Sequence, residues 1–174
     1  MQKIKKQRGL ALSSSKGFTL IEILIVIGII AVLAGIVLIA VNPARQFAQT
    51  RDAQRASNLN AILSAIGQRI ADHQGIFNGT TTIGGFTGTC GILPTSTPLE
   101  ITSAQASSPT APNSPQLGCL VPGYIPALPF DPSAGDATNT AYKIIQDANT
   151  GRITVSAPTP EPSITRSTSI EITR

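Results

Sequence analysis

From Ile23 to Val41 the chain runs nineteen residues with no charge and no side chain more polar than glycine. Counted from Phe18 the apolar segment is 24 residues long. As a helix it would span roughly 36 Å, more than a hydrocarbon core of about 30 Å. One residue breaks the pattern at its front: Glu22 places a carboxylate inside what otherwise reads as a membrane span. Ionisable groups there are unfavourable and are kept for function.

Charge is distributed just as unevenly. The sequence pI near 9.4 suggests a basic protein, yet Met1–Gly17 holds Lys3, Lys5, Lys6, Arg8 and Lys16 with no acidic residue. The remainder carries eight basic residues against nine acidic ones. The basicity belongs to the leader, so no direct nucleic-acid site is expected. A positive leader before an apolar run keeps the N-terminus cytoplasmic. A cleaved secretory signal has a shorter apolar region with a small-residue cut site beyond it; here the run continues into a helical pattern, which favours an anchor.

After Asn42-Pro43 the apolar positions Ala56, Leu59, Ile62, Leu63, Ile66 and Ile70 recur at spacings of three and four. They predict an amphipathic helix over residues 43–75, with Gly75 and Gly79 as the stop signal. Pro43 lacks an amide hydrogen, so a kink or loosened turn is expected where the chain leaves the membrane. From residue 76 the texture turns Gly/Thr-rich, as in loops and short strands. Residues 94–116 are rich in Pro, Ser and Thr and have almost nothing to bury, which predicts a flexible loop. Then "TAYKIIQD", "ANTG" and "RITVSA" read as a hairpin. In the C-terminal run Ile170 and Ile172 point one way, Glu171 and Thr173 the other. An antiparallel sheet of three or four strands needs a cover for one face, and the Leu59–Ile70 stripe supplies it. The expected fold class is α+β: a long N-terminal helix, transmembrane in its first half and amphipathic in its second, packed on a small sheet.

Cys90 and Cys119 lie beyond the span, where an oxidising compartment would let them pair. Two cysteines and a single histidine, His73, leave little for a zinc site, and no nucleophile constellation surrounds His73. Asp131, Asp136 and Asn139, with Asp147 and Asn149 in the next turn, are oxygen ligands of the kind calcium takes. The competing reading is turn chemistry. No other cofactor and no enzymatic activity are expected.

Lys16-Gly17-Phe18-Thr19-Leu20-Ile21-Glu22 and the run after it resemble the N-terminal signature of type IV pilins and type II secretion pseudopilins. The resemblance implies that a membrane prepilin peptidase removes the leader 1–17 by cutting between Gly17 and Phe18. It also implies N-methylation of the Phe18 amine. Residues 18–42 would then be the transmembrane and assembly helix, 43–75 the amphipathic helix and 76–174 the exported domain, periplasmic or extracellular. Glu22 would pair with the Phe18 amine of a neighbouring subunit in a polymer. The partners implied are further copies of the chain, other pilins, the peptidase and the inner-membrane assembly machinery. A pilus subunit is the preferred reading, a secretion pseudopilin the alternative, and a monomeric membrane-anchored binding module the remoter one.

Overall fold

The computed structural model describes residues 17–158, 161 and 169–174. The chain forms two units, residues 1–42 and 43–174. In the first, α1 spans Leu20–Val41. Its isoleucine, leucine and valine side chains from Leu20 to Ile39 are exposed, so their low-energy surroundings are apolar. Among the described residues it is the one helix long and apolar enough to cross a membrane, over Leu20–Ala40. It ends at Asn42, whose φ of 44° is left-handed, a conformation asparagine tolerates at a helix end. The next helix, α2 (Pro43–Asp72), opens with Pro43. Proline costs little at a first helical position, where its missing N–H would be unpaired anyway. The break expected near Pro43 is therefore a stop at Asn42 followed by a restart.

The second unit is built on α2. Its buried positions include Ala48, Asp52, Arg55, Leu59, Ile62, Ile66 and Arg69, a run of three- and four-residue steps that keeps one face inward. Leu59, Ile62, Leu63 and Ile66 pack with Tyr142, Ile144, Ile153, Val155, Ala157 and Ile170 from a sheet. Each of these aliphatic side chains contributes about 1.5–3 kcal/mol when taken fully out of water.

That sheet has four antiparallel strands in sequence order: β3 (Leu99–Thr102), β4 (Asn139–Gln146), β5 (Ile153–Ala157) and β6 (Ile170–Thr173). The β4–β5 hairpin turns where Asp147 Oδ1 accepts the N–H groups of Asn149 and Thr150. Strand alternation places Ile170 inside and Glu171 outside, as the sequence predicts. A separate two-stranded ribbon joins β1 (Gly79–Ile83) to β2 (Phe86–Cys90) through Gly84-Gly85. Both glycines have positive φ, which a two-residue hairpin turn favours.

The 94–116 segment differs from expectation. It contains β3, which pairs with β4, and Ile101 is fully buried. Its outer side is held as well: Thr102 N–H donates to the Pro115 carbonyl and Leu117 N–H to the Thr102 carbonyl. A segment poor in apolar residues is ordered here by backbone pairing across the sheet.

Cys90, the last residue of β2, is bonded to Cys119 in a 3₁₀ turn (Gly118–Leu120), with their Cα atoms 5.4 Å apart. The ribbon lies so close to this turn that a Cβ on Gly88 would sit 2.7 Å from the Cys119 carbonyl oxygen. Closing the loop between the two cysteines removes freedom from the unfolded chain. A Cys90→Ala/Cys119→Ala variant is expected to lose about 2–5 kcal/mol, read as a lower urea midpoint for the purified protein in detergent.

Candidate functional site

Two groups of residues carry chemistry. The first is the start of α1. Gly17, Phe18 and Thr19 are exposed and non-helical, and helix begins at Leu20. Thr19 is its N-cap, with an extended backbone at φ −81° and ψ 151°. Its Oγ1 accepts the Glu22 N–H at 3.2 Å, and its carbonyl accepts from Ile23 N–H at 3.3 Å. Glu22 thus stands in the first helical turn, where the positive end of the helix dipole favours a carboxylate. Lys16 lies outside the described residues.

The second group is a buried charge cluster against α2. Arg55 is 1% exposed and Asp131 not at all, and they meet in a two-pronged pair, Nε to Oδ2 at 2.7 Å and Nη2 to Oδ1 at 3.1 Å. Arg55 Nη1 also donates to Asp52 at 2.8 Å and to Glu161 at 3.0 Å. Arg51 grips both oxygens of Glu161, at 2.6 and 2.7 Å. Hydrogen bonding to Asp131 raises the Arg55 pKa despite burial. Burial pushes the Asp131 carboxyl up, but bonds from Arg55 and from the Ser133 and Ala134 N–H groups outweigh it and hold it below the usual range.

The Arg51 hydrogen bonds lower Glu161 to about 2, with Arg55 adding to the effect. A carboxyl depressed in the folded state stabilises it above the unfolded pKa, about 4.3, and that contribution is lost as pH falls through the folded value. Melting temperature is therefore expected to fall between about pH 5 and pH 2, with a shallower decline in Glu161→Gln. A Glu161→Gln profile superimposed on wild type would contradict this.

A third cation, Arg69, is fully buried near the end of α2. It donates to the Phe77 and Gly79 carbonyls at 2.8 and 2.7 Å and to Thr81 Oγ1 at 2.9 Å. Its guanidinium lies 5.9 Å from the centre of the Phe77 ring. Burial lowers its pKa. Arg69 ties the helix to the ribbon, and His73 also contacts Thr81.

The two carboxylates among the calcium candidates already have protein partners. Both Asp131 oxygens are taken by Arg55, so a cation would have to displace a buried guanidinium. Asp136 Oδ1 accepts the Thr138 and Asn139 N–H groups at 2.7 Å each, which is turn chemistry. Asn139 opens β4. Among the described residues no three His, Cys, Asp or Glu side chains gather as a metal site would require.

Sequence reading missed the buried charges and the helix cap. Asp52, Arg55 and Arg69 fall in register with Leu59, Ile62 and Ile66, and that register was the available signal. For Thr19 the signal was a Thr three residues ahead of a Glu at a helix start.

Comparison with protein families finds the prokaryotic N-terminal methylation motif at residues 12–38. The match covers the Gly17–Phe18 junction and most of α1, and none of the second unit. No curated protein and no solved structure matches the chain. On this match and the apolar helix that bears it, the chain carries the N-terminal signature of type IV pilins and pseudopilins.

Proposed function

We propose that this chain is the precursor of a type IV pilus subunit, anchored once in the membrane with its N-terminus in the cytoplasm. A prepilin peptidase cuts after Gly17 and methylates the Phe18 amine, and the mature chain polymerises through α1. The observation that carries this reading is the pairing of the motif at 12–38 with Glu22, the single charge in a long apolar helix. Cutting exposes a cationic amine at Phe18, one turn from that carboxylate. In a polymer the amine of one subunit and the Glu22 carboxylate of the next compensate each other, which rewards assembly and sets the stagger between helices.

The disulfide between Cys90 and Cys119 favours a pilus over a secretion pseudopilus. The test is electron microscopy of cells with and without the protein, run beside a secretion assay. Loss of surface filaments with secretion intact supports the pilus reading. Loss of secretion with filaments unchanged points to a pseudopilin.

A further inference from the structure

Thr19 does more than precede the apolar run: it fixes where α1 begins, and so how near the helix comes to the Gly17–Phe18 bond. Its Oγ1 accepts the Glu22 N–H, its own backbone is extended, and the helix starts at Leu20. Gly17, Phe18 and Thr19 are left outside the helix, exposed. We propose that Thr19 is a positioning residue for leader removal, keeping the Phe18 carbonyl beside the Gly17–Phe18 bond out of the helix, where a protease can bind it. The proposal rests on the processing reading above.

One donor, the Glu22 N–H, decides where the helix starts. At a helix start the first N–H groups lack carbonyl partners, and in an apolar surrounding an unpaired one is costly. Thr19 Oγ1 satisfies the Glu22 N–H. Without that hydroxyl, the chain's own remedy is to let the Phe18 carbonyl, four residues back, accept it. That moves the helix start one residue upstream, making Phe18 the cap and committing the Phe18 carbonyl, on the amine side of the scissile bond, to the helix. A helical bond has its backbone groups committed to its own turn, whereas a cleft binds an extended strand through main-chain hydrogen bonds. Hydrolysis adds water across the Gly17–Phe18 bond, giving a Gly17 carboxylate on the leader and a protonated amine on Phe18. Thr19 takes no part in that step; it sets the fraction of precursor able to enter it.

When only a fraction of a substrate is competent, apparent affinity falls by that fraction. Caps of this type are worth enough to change that fraction by about 2- to 30-fold. The experiment uses the full-length precursor in membrane vesicles containing the prepilin peptidase, with initial conversion rates measured across precursor densities for Thr19→Val, Thr19→Ala, Thr19→Ser and Thr19→Asn. Valine keeps the shape and loses the acceptor; serine and asparagine cap as well as threonine.

Valine and alanine are expected to slow conversion about 2- to 30-fold through apparent KM, with the saturated rate unchanged. Serine and asparagine are expected to restore wild-type rates. Valine cutting as fast as wild type would overturn the proposal. So would serine and asparagine failing alongside valine, since that pattern means the peptidase reads threonine itself. N-terminal sequencing of the wild-type product separates the two levels: a wild type not cut at Gly17–Phe18 removes the processing reading, and this inference with it.

Discussion

A Glu22→Ala variant is expected to be cut, exported and folded like the wild type, and to form no filaments. The residue lies in the first turn of α1 and its side chain is exposed, so its loss removes nothing from the packed second unit. In the monomer the carboxylate is a burden: an acidic residue costs on the order of 3 kcal/mol at the centre of a membrane helix, less near an end. The helix dipole offsets about 0.3–1 kcal/mol of this. A Phe18 amine from a neighbouring subunit at about 4 Å supplies on the order of 4 kcal/mol at an effective dielectric near 20. The balance tips only on assembly. Alanine relieves the monomer and removes the reward, so the effect falls on filament number, counted by electron microscopy against equal amounts of processed protein. Normal filaments from Glu22→Ala would remove the assembly role.

The second large effect belongs to the buried cluster. Arg55→Met is expected to destabilise the mature protein by about 3–5 kcal/mol, the usual result of removing one partner of a buried pair. Glu161 keeps Arg51, but among the described residues Asp131, fully buried, keeps only the Ser133 and Ala134 N–H groups. An uncompensated carboxylate in that position is the main cost. Arg55→Met/Asp131→Asn removes the charge while leaving an oxygen for those two donors, and is expected to regain much of the loss. Urea unfolding of the two variants beside wild type reads both numbers. A single variant within about 1 kcal/mol of wild type, the range of an exposed ion pair, would show that the cluster contributes little.

How much of this was legible in the sequence depends on how local the cause is. The span and the α2 stripe are periodic within one segment, so hydropathy alone reveals them. Strands β4, β5 and β6 show their alternation within a few residues. β3 does not: in a Pro/Ser/Thr-rich stretch Leu99 and Ile101 are the only large aliphatic residues, and the strand exists because β4, some forty residues on, pairs with it. The stop at Asn42 was half visible, since Pro43 marks the place and not the left-handed residue before it. Arg55 was hidden for another reason. Hydropathy assigns a charge to the surface, and an arginine satisfied by carboxylates from positions 52, 131 and 161 is a property of three distant segments meeting. For the site, the N-terminal signature and the disulfide were readable. The cap at Thr19 was also in plain sight, as a side-chain acceptor three residues ahead of Glu22.

The central claim is that this chain is a prepilin whose functional N-terminus is made by cutting. Intact-mass and N-terminal sequence analysis of the protein recovered from cells tests it most directly. The expected product begins at Phe18 and carries one added methyl group on its amine. A mature chain that begins at any other residue, or that retains Met1 and the basic leader, would contradict it.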